Sequence, residues 1–288
     1  LIKTPIGIFK VGAIGSVVTD SNYRRQGLSS RILEACLENI QQQGCDFAVL
    51  WTNLHDFYRK MGFELAGTEM ALVLKKEISV PFTEGTWVVE GNNVSAESIL
   101  KLYANHRVGS LRNPASVREN LKIPESRTYT LWGQGHQLKA YAVEGKGADL
   151  TNYIHEWGGG VSDLLPLFSH IQNKKEDSVT VISPEHSQNL IRQLKPYTSH
   201  ITPGFLGMIK LVQTNNLFNK VLRYARSLGH SDFQLHFKDG VYYFGLKDNL
   251  YKTDSEQEVV RLLFGPTANS SLNALDEATQ KVVKKVLP

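Results

Sequence analysis

The chain has 288 residues, 41% hydrophobic, 21% charged and 9% aromatic, which predicts two or three packed domains and excludes a disordered chain. Its 32 Lys and Arg against 28 Asp and Glu leave a net charge of +4 with no basic tract, which sets nucleic acid aside as a partner. No apolar run approaches the roughly 18 residues that cross a bilayer, and Cys36 and Cys45 form no C-x-x-C pair, so membrane insertion, a disulfide framework and a zinc knuckle are set aside and a reducing cytoplasm is expected.

In chain order, Val11 to Thr19 is a small, β-branched strand candidate. Ser29 to Gln43 follows as a helix, with Ile32, Leu33, Cys36, Leu37 and Ile40 on one face and Gly44 as its stop. Phe47 to Trp51 reads as a strand buried on both faces, His55 to Met61 as a short helix ended by Gly62, and Met70 to Leu74 as another strand. This alternation predicts an α/β layer arrangement.

A seam rich in Lys, Pro and Gly (Lys75 to Gly85) opens a second block. It has helices at Ser95–His106, Ser162–Gln172 and Ser187–Leu194, and strands near Thr128–Trp132, Leu138–Glu144, Asn152–Trp157 and Ser178–Ile182. After the Pro203–Gly204 breaker come a strand at Met208–Val212, a helix at Asn216–Leu228 and a hairpin over Phe233–Lys247 turning at Asp239–Gly240. Helices near Ser255–Leu263 and Asn269–Val286 close the chain. The blocks divide at 1–76, 77–204 and 205–288.

The informative stretch is Val17-Val18-Thr19-Asp20, then Tyr23-Arg24-Arg25-Gln26-Gly27-Leu28-Ser29-Ser30. A strand ends, a basic turn with one glycine follows, and a helix begins at once. Helix N-termini present unpaired N–H groups and about half a positive charge, which together hold a phosphate. Gly27 lets backbone approach a ligand, Arg24 and Arg25 add attraction, and the Ser29 and Ser30 hydroxyls are placed to cap the helix or reach a phosphate oxygen. A diphosphate-bearing cofactor suits this layout, although a lone R-x-x-G-x-S is more often a plain strand–helix connection with solvated arginines. The P-loop pattern is absent, and Gly133-Gln134-Gly135 and Gly145-Lys146-Gly147 both lack the third glycine of a dinucleotide turn.

Tyr58 follows Gly27 by 31 residues, inside Phe57-Tyr58-Arg59-Lys60-Met61-Gly62-Phe63. With both motifs the sequence resembles the GCN5-related N-acetyltransferase (GNAT) superfamily, in which a Q/R-x-x-G-x-G/A turn binds the acetyl-CoA pyrophosphate and a later F-Y-x-x-x-G-F helix supplies a tyrosine. Ser29 stands where the family usually has Gly or Ala, a mild departure because Ser is also small. The resemblance implies a mixed sheet flanked by helices and an acetyl-CoA-dependent N-acetyltransferase. Backbone groups of Val17 and Val18 would hold the pantetheine arm and the thioester carbonyl, amides from Arg25, Gln26, Gly27, Leu28, Ser29 and Ser30 would cradle the pyrophosphate, and Thr19 and Arg24 would belong to the same cofactor site. Asn53 would hydrogen-bond cofactor or substrate, and Tyr58 would be the general acid. An aromatic merely packed on the short helix is the plain alternative for Tyr58. No metal is implied, and the other histidines lack ligand spacing.

A general base is not assigned. Val11–Thr19 holds no carboxylate, and Asp20 is expected to cap or brace the turn. The order of blocks resembles the enhanced intracellular survival (Eis) group, which implies a second, degenerate GNAT-like domain without the cofactor turn and a C-terminal sterol-carrier-like α/β domain. It also implies a hexameric homo-oligomer and a small-molecule amine or lysine-bearing acceptor. The alternative is a non-catalytic ligand-binding protein on a GNAT scaffold, with a lipid-like apolar ligand in the C-terminal domain. Leu1 in place of Met, and a first block that resembles only the later half of a GNAT domain, lead us to expect a missing beginning; a missing true C-terminus is expected too, so Pro288 receives no role. His155 and Glu156 are neighbours on a strand and face opposite ways, Cys36 is expected in the core, and Lys281, Lys284 and Lys285 form a solvated helix face.

Overall fold

The computed structural model describes residues 1–147, 149–265 and 270–287. The chain opens with a hairpin of β1 (Ile2–Thr4) and β2 (Gly7–Phe9), followed by β3 (Val11–Ile14), α1 (Leu28–Gln42), β4 (Phe47–Leu50), α2 (His55–Arg59) and β5 (Glu64–Ala66). The strand expected over Val11–Thr19 ends at Ile14, because Ser16 takes φ 56, a left-handed conformation that a ladder does not carry. In α1, Leu33 and Ile40 are buried, and Cys36 and Leu37 pack beside them. Ile32 is 57% exposed, one residue off that stripe and so about 100° round the helix.

Residues 69–204 make one compact unit. Its elements are β6 (Glu69–Leu74), β7 (Trp87–Glu90), α3 (Ala96–Tyr103), β8 (Gly109–Ser110), α4 (Pro114–Asn120), β9 (Arg127–Gly133) and β10 (Gln137–Lys146). Then come β11 (Asp149–Gly159), α5 (Val161–Asn173), β12 (Thr180–Pro184), α6 (Gln188–Leu194) and β13 (Thr198–Gly204). Seven strands run in the order β13-β6-β12-β11-β10-β9-β7. Among the described residues of this sheet, only β11 and β12 pair in parallel; the other ladders are antiparallel. Leu164, Leu167, Phe168 and Ile171 of α5 and Leu190 and Leu194 of α6 pack on one group of strand residues; Ile99 and Val117 of α3 and α4 pack with Leu138 and Tyr141.

The last segment holds β14 (Gly207–Leu211), α7 (Thr214–Ser227), β15 (Phe233–Lys238), β16 (Val241–Leu246), β17 (Asn249–Thr253), α8 (Glu256–Phe264), α9 (Ser270–Asn273) and α10 (Glu277–Val286). The expected hairpin gains β17 as a third strand, and the helix expected over 269–286 is two helices broken over residues 274–276, where Asp276 caps α10. Asn269 and Pro288 lie outside the described residues.

Compact units do not follow the three expected blocks: residues 1–68 and 205–288 form one unit. Its central sheet runs β3-β4-β14-β5, so a strand from residue 207 onward lies between two strands of the first segment. Register pairs Met208 with both Leu50 and Leu65. Alternation along β14 splits two cores: Met208 joins Leu33, Leu50, Tyr58 and Phe63 under α1 and α2, whereas Leu211 joins Phe47, Leu217, Phe218, Val259 and Val283 from the last segment. Residues 69–74, which follow β5 at once, contribute β6 to the other unit's sheet between β12 and β13.

Candidate active site

Parallel pairing of β3 with β4 ends at Ile14 and Leu50. Val17 and Val18, expected at the strand end, lie beyond it and are 39% and 82% exposed. Asp20 starts a single 3₁₀ turn over Ser21–Tyr23, its carboxylate accepting from the Asn22 N–H at 2.9 Å, as expected of a brace. Arg24 Nε donates to the Thr19 carbonyl at 3.2 Å, which ties the turn back on itself. Arg25 then takes φ 63 and Gly27 φ 74, and α1 begins.

Gly27 is the N-cap, and no side chain caps the helix; the Ser29 hydroxyl instead shares a 2.6 Å hydrogen bond with Thr19 Oγ1. The expected cap by Ser29 or Ser30 is therefore not made, because Ser29 is drawn to the turn. The N–H groups of Leu28, Ser29 and Ser30 precede the first i→i−4 partner and stay open. No acidic residue sits in the first turn, and a Cβ at Gly27 would meet nothing within 4 Å. Open donors, the positive helix end and two arginines face one small space.

That space is a cavity of about 160 Å³ lined by Thr19, Tyr23, Arg24, Arg25, Gly27, Leu28, Ser29, Ser30 and Phe57. Seven expected site residues meet there. Tyr23 and Phe57 were not expected; Phe57 carried a signal in its place beside Tyr58 in the motif, whereas Tyr23 was only one more turn residue. The donor set suits an anionic diphosphate. Val17, Val18, Gln26, Asn53 and Tyr58 are not among the lining residues.

Tyr58 is 7% exposed on the one-turn helix α2, with its ring edge-on to Phe57 at 5.0 Å and Phe63 at 5.9 Å. Burial pushes its phenol above the ordinary tyrosine range. Its hydroxyl makes no hydrogen bond among the described residues. Gly62, at φ 85, ends α2; a Cβ there would collide with Lys210 Nζ. Asn53 is exposed in the bend between β4 and α2.

Residues 69–204 contain a second parallel pair followed by a helix, β11∥β12 and α5, and it is closed. Pairing ends after Ile154 and Val181, and the Trp157 indole donates to the Ile182 carbonyl at 3.1 Å, bridging the diverging strands. One residue, Gly160, separates β11 from α5, and Asp163 lies in the first helical turn. His155 and Glu156 face opposite ways: His155 Nε2 meets the Gly145 carbonyl at 2.9 Å, while Glu156 takes both Arg112 nitrogens at 2.8 and 2.7 Å and the Tyr141 hydroxyl at 3.1 Å.

The family model of the acetyltransferase (GNAT) domain matches residues 2–66, the segment that carries the turn, the cavity and Tyr58. Residues 2–66 are thus similar to a GNAT domain. Among solved structures, a GCN5-related N-acetyltransferase from Kribbella flavida is similar at 13% identity and TM-score 0.61, covering 96% of this chain and 78% of that one. Eis1 from Mycobacterium abscessus is similar at 12% identity and TM-score 0.54, covering 95% and 79%. An Enterococcus faecalis V583 protein described as a probable N-acyltransferase is similar at 15% identity and TM-score 0.58, covering 76% of this chain and 59% of that one. This chain thus spans less than two thirds of that last protein. At these identities the likeness is one of fold, and it agrees with the expected α/β architecture of mixed sheets flanked by helices. No curated protein sequence matches the chain. Among the described residues, no helix is long and apolar enough to cross a membrane.

Proposed function

We propose that this GNAT domain transfers an acetyl group from acetyl-CoA to a primary amine. The observation that carries the reading is the uncapped, carboxylate-free N-terminus of α1, opening with Arg24 and Arg25 into a small cavity that Phe57, the neighbour of Tyr58, also lines. There the open N–H groups of Leu28, Ser29 and Ser30 hold the pyrophosphate, and Arg24 and Arg25 neutralise it. Backbone groups of Val17 and Val18, freed by the end of the β3–β4 pairing, hold the pantetheine arm, and Asn53 serves cofactor or acceptor.

In the reaction the amine nitrogen attacks the thioester carbonyl carbon. A tetrahedral oxyanion forms, the C–S bond breaks, and the thiolate takes a proton. Tyr58 supplies that proton: burial keeps its phenol protonated well above neutral pH, so the acid is in its working form. The amine's own proton leaves to solvent. We assign no acetyl-CoA to residues 69–204, since Trp157 bridges the cleft there and Asp163 sets a negative charge at the helix start. A small-molecule or lysine-bearing acceptor, a homo-oligomer and a cytoplasmic location belong to the same reading.

Calorimetry with acetyl-CoA tests the cofactor site. Gly27→Glu places a carboxylate where the pyrophosphate sits and should abolish binding. Normal affinity in that variant would overturn the assignment, and stabilisation by lipid vesicles but not by acetyl-CoA would favour a ligand-binding protein instead.

A further inference from the structure

We propose that the acceptor is an amine carried on an apolar body and seated on Trp51, an inference that rests on the acetyl-transfer reading above. Beyond Ile14 and Leu50, where β3 and β4 part, one end of the sheet of residues 1–68 and 205–288 carries six exposed apolar side chains. They are Val17 and Val18 after β3, Trp51 and Leu54 after β4, and Phe205 and Leu206 before β14, between 39% and 82% exposed. This strip is continuous along the chain with the phosphate turn on one side and with α2 on the other.

Trp51 is the anchored member. Leu50 pairs with Met208, so the next residue comes level with Gly207, and the Trp51 indole nitrogen lies 3.4 Å from where a Gly207 Cβ would be. That is an ordinary contact distance, so the indole lies over the Gly207 backbone, while the Leu50 carbonyl, 2.9 Å from the same point, is what disfavours a side chain at 207. Leu206 fills the space beside Gly67, whose Cβ would come within 2.8 Å of it. Trp51 is nonetheless 68% exposed. An anchored, exposed indole offers apolar surface to a hydrocarbon or aromatic body and its face to an ammonium group.

The carboxylates that flank the strip in sequence are already hydrogen-bonded or paired. Asp20 accepts from the Asn22 N–H, Asp56 pairs with Arg59 at 3.0 Å, and Glu64 is held by Arg59 at 3.2 Å and Arg261 at 2.6 Å. Arg24 and Arg25 on the adjoining turn repel further positive charge.

The test is a thiol-release assay at saturating acetyl-CoA, with phenethylamine and hexylamine compared against spermidine and kanamycin. The apolar monoamines should give the higher kcat/KM. Trp51→Ala should raise the KM for phenethylamine roughly ten-fold while the KM for acetyl-CoA stays unchanged, and Trp51→Phe should recover most of the loss. Leu54→Ser, at a second exposed site, should raise the same KM if the Trp51 variant fails to fold. Preference for the polycations, or an unchanged acceptor KM in both variants, would overturn the proposal. Acetyl-CoA binding without transfer to any of these amines would also overturn it while leaving the cofactor site standing; absent acetyl-CoA binding would remove the acetyltransferase reading itself.

Discussion

Tyr58 combines two properties that a proton donor needs: a rigid seat between Phe57 and Phe63, and a phenol that burial keeps protonated. Tyr58→Phe keeps the ring contacts and removes only the proton, so kcat should fall by roughly 10²-fold or more while calorimetric affinity for acetyl-CoA is preserved. Because the shift is upward, wild-type activity should hold until pH exceeds the ordinary phenol value of about 10 and decline only beyond it; a lower basic limb would assign the acid elsewhere. Much of this site is legible in the residues themselves. Gly27 at the helix start, the paired arginines and the Phe57-Tyr58 step all carry local meaning. The contact between Ser29 and Thr19 does not, because a hydroxyl ten positions from its partner offers the same spacing signal whether it caps a helix or braces a loop.

Elements are tied together by buried charge. Asp46, fully buried just before β4, accepts from the Lys10 N–H at 2.8 Å, Asn216 at 2.7 Å and Lys220 at 2.6 Å, which binds α7 to the first segment. Asp46→Ala leaves the mostly buried Lys220 ammonium without its counter-charge, with only the Ile8 carbonyl at 3.0 Å still accepting from it among the described residues, and should cost about 3 kcal/mol in urea unfolding. A cost under ~1 kcal/mol would mean that water replaces the carboxylate. Tyr242 donates to Glu256 at 3.4 Å, and burial together with that carboxylate pushes its phenol up to about 12; burial and Glu258 do the same for Tyr251. An unfolded tyrosine ionises near pH 10, so the folded state binds more protons above that point. Stability from these groups is full below about pH 10 and should decline between 10 and about 12, and Tyr242→Phe should flatten that fall in urea midpoints. At this scale, α1 and β4 could be read from their apolar periods. The short strands β1, β2, β5 and β13 could not: three to seven residues with no shared alternation of buried and exposed positions carry too little pattern. Ser16 and Arg25 also gave no warning of left-handed backbone, which non-glycine residues seldom adopt.

At the level of the whole chain, the central place of β14 makes residues 1–68 dependent on a segment that starts at 205. Truncation after residue 204 removes the strand that pairs both β4 and β5 and also the apolar cover on Phe9, Phe47 and Ala66. The truncated chain should lose slow-exchanging amides in 47–50 and 64–66 while the 69–204 sheet keeps its own; retained protection in both would show that the first segment folds alone. Side-chain period and spacing over a few dozen residues already prescribe the phosphate-binding turn, the helix behind it and the tyrosine motif, because each of these is a local pattern. The length, which predicted two or three domains, could not say how they are shared out. Which strands pair is a long-range choice, made where Met208 and Leu211 complete two cores at once, and that packing alone makes residues 1–68 and 205–288 one unit.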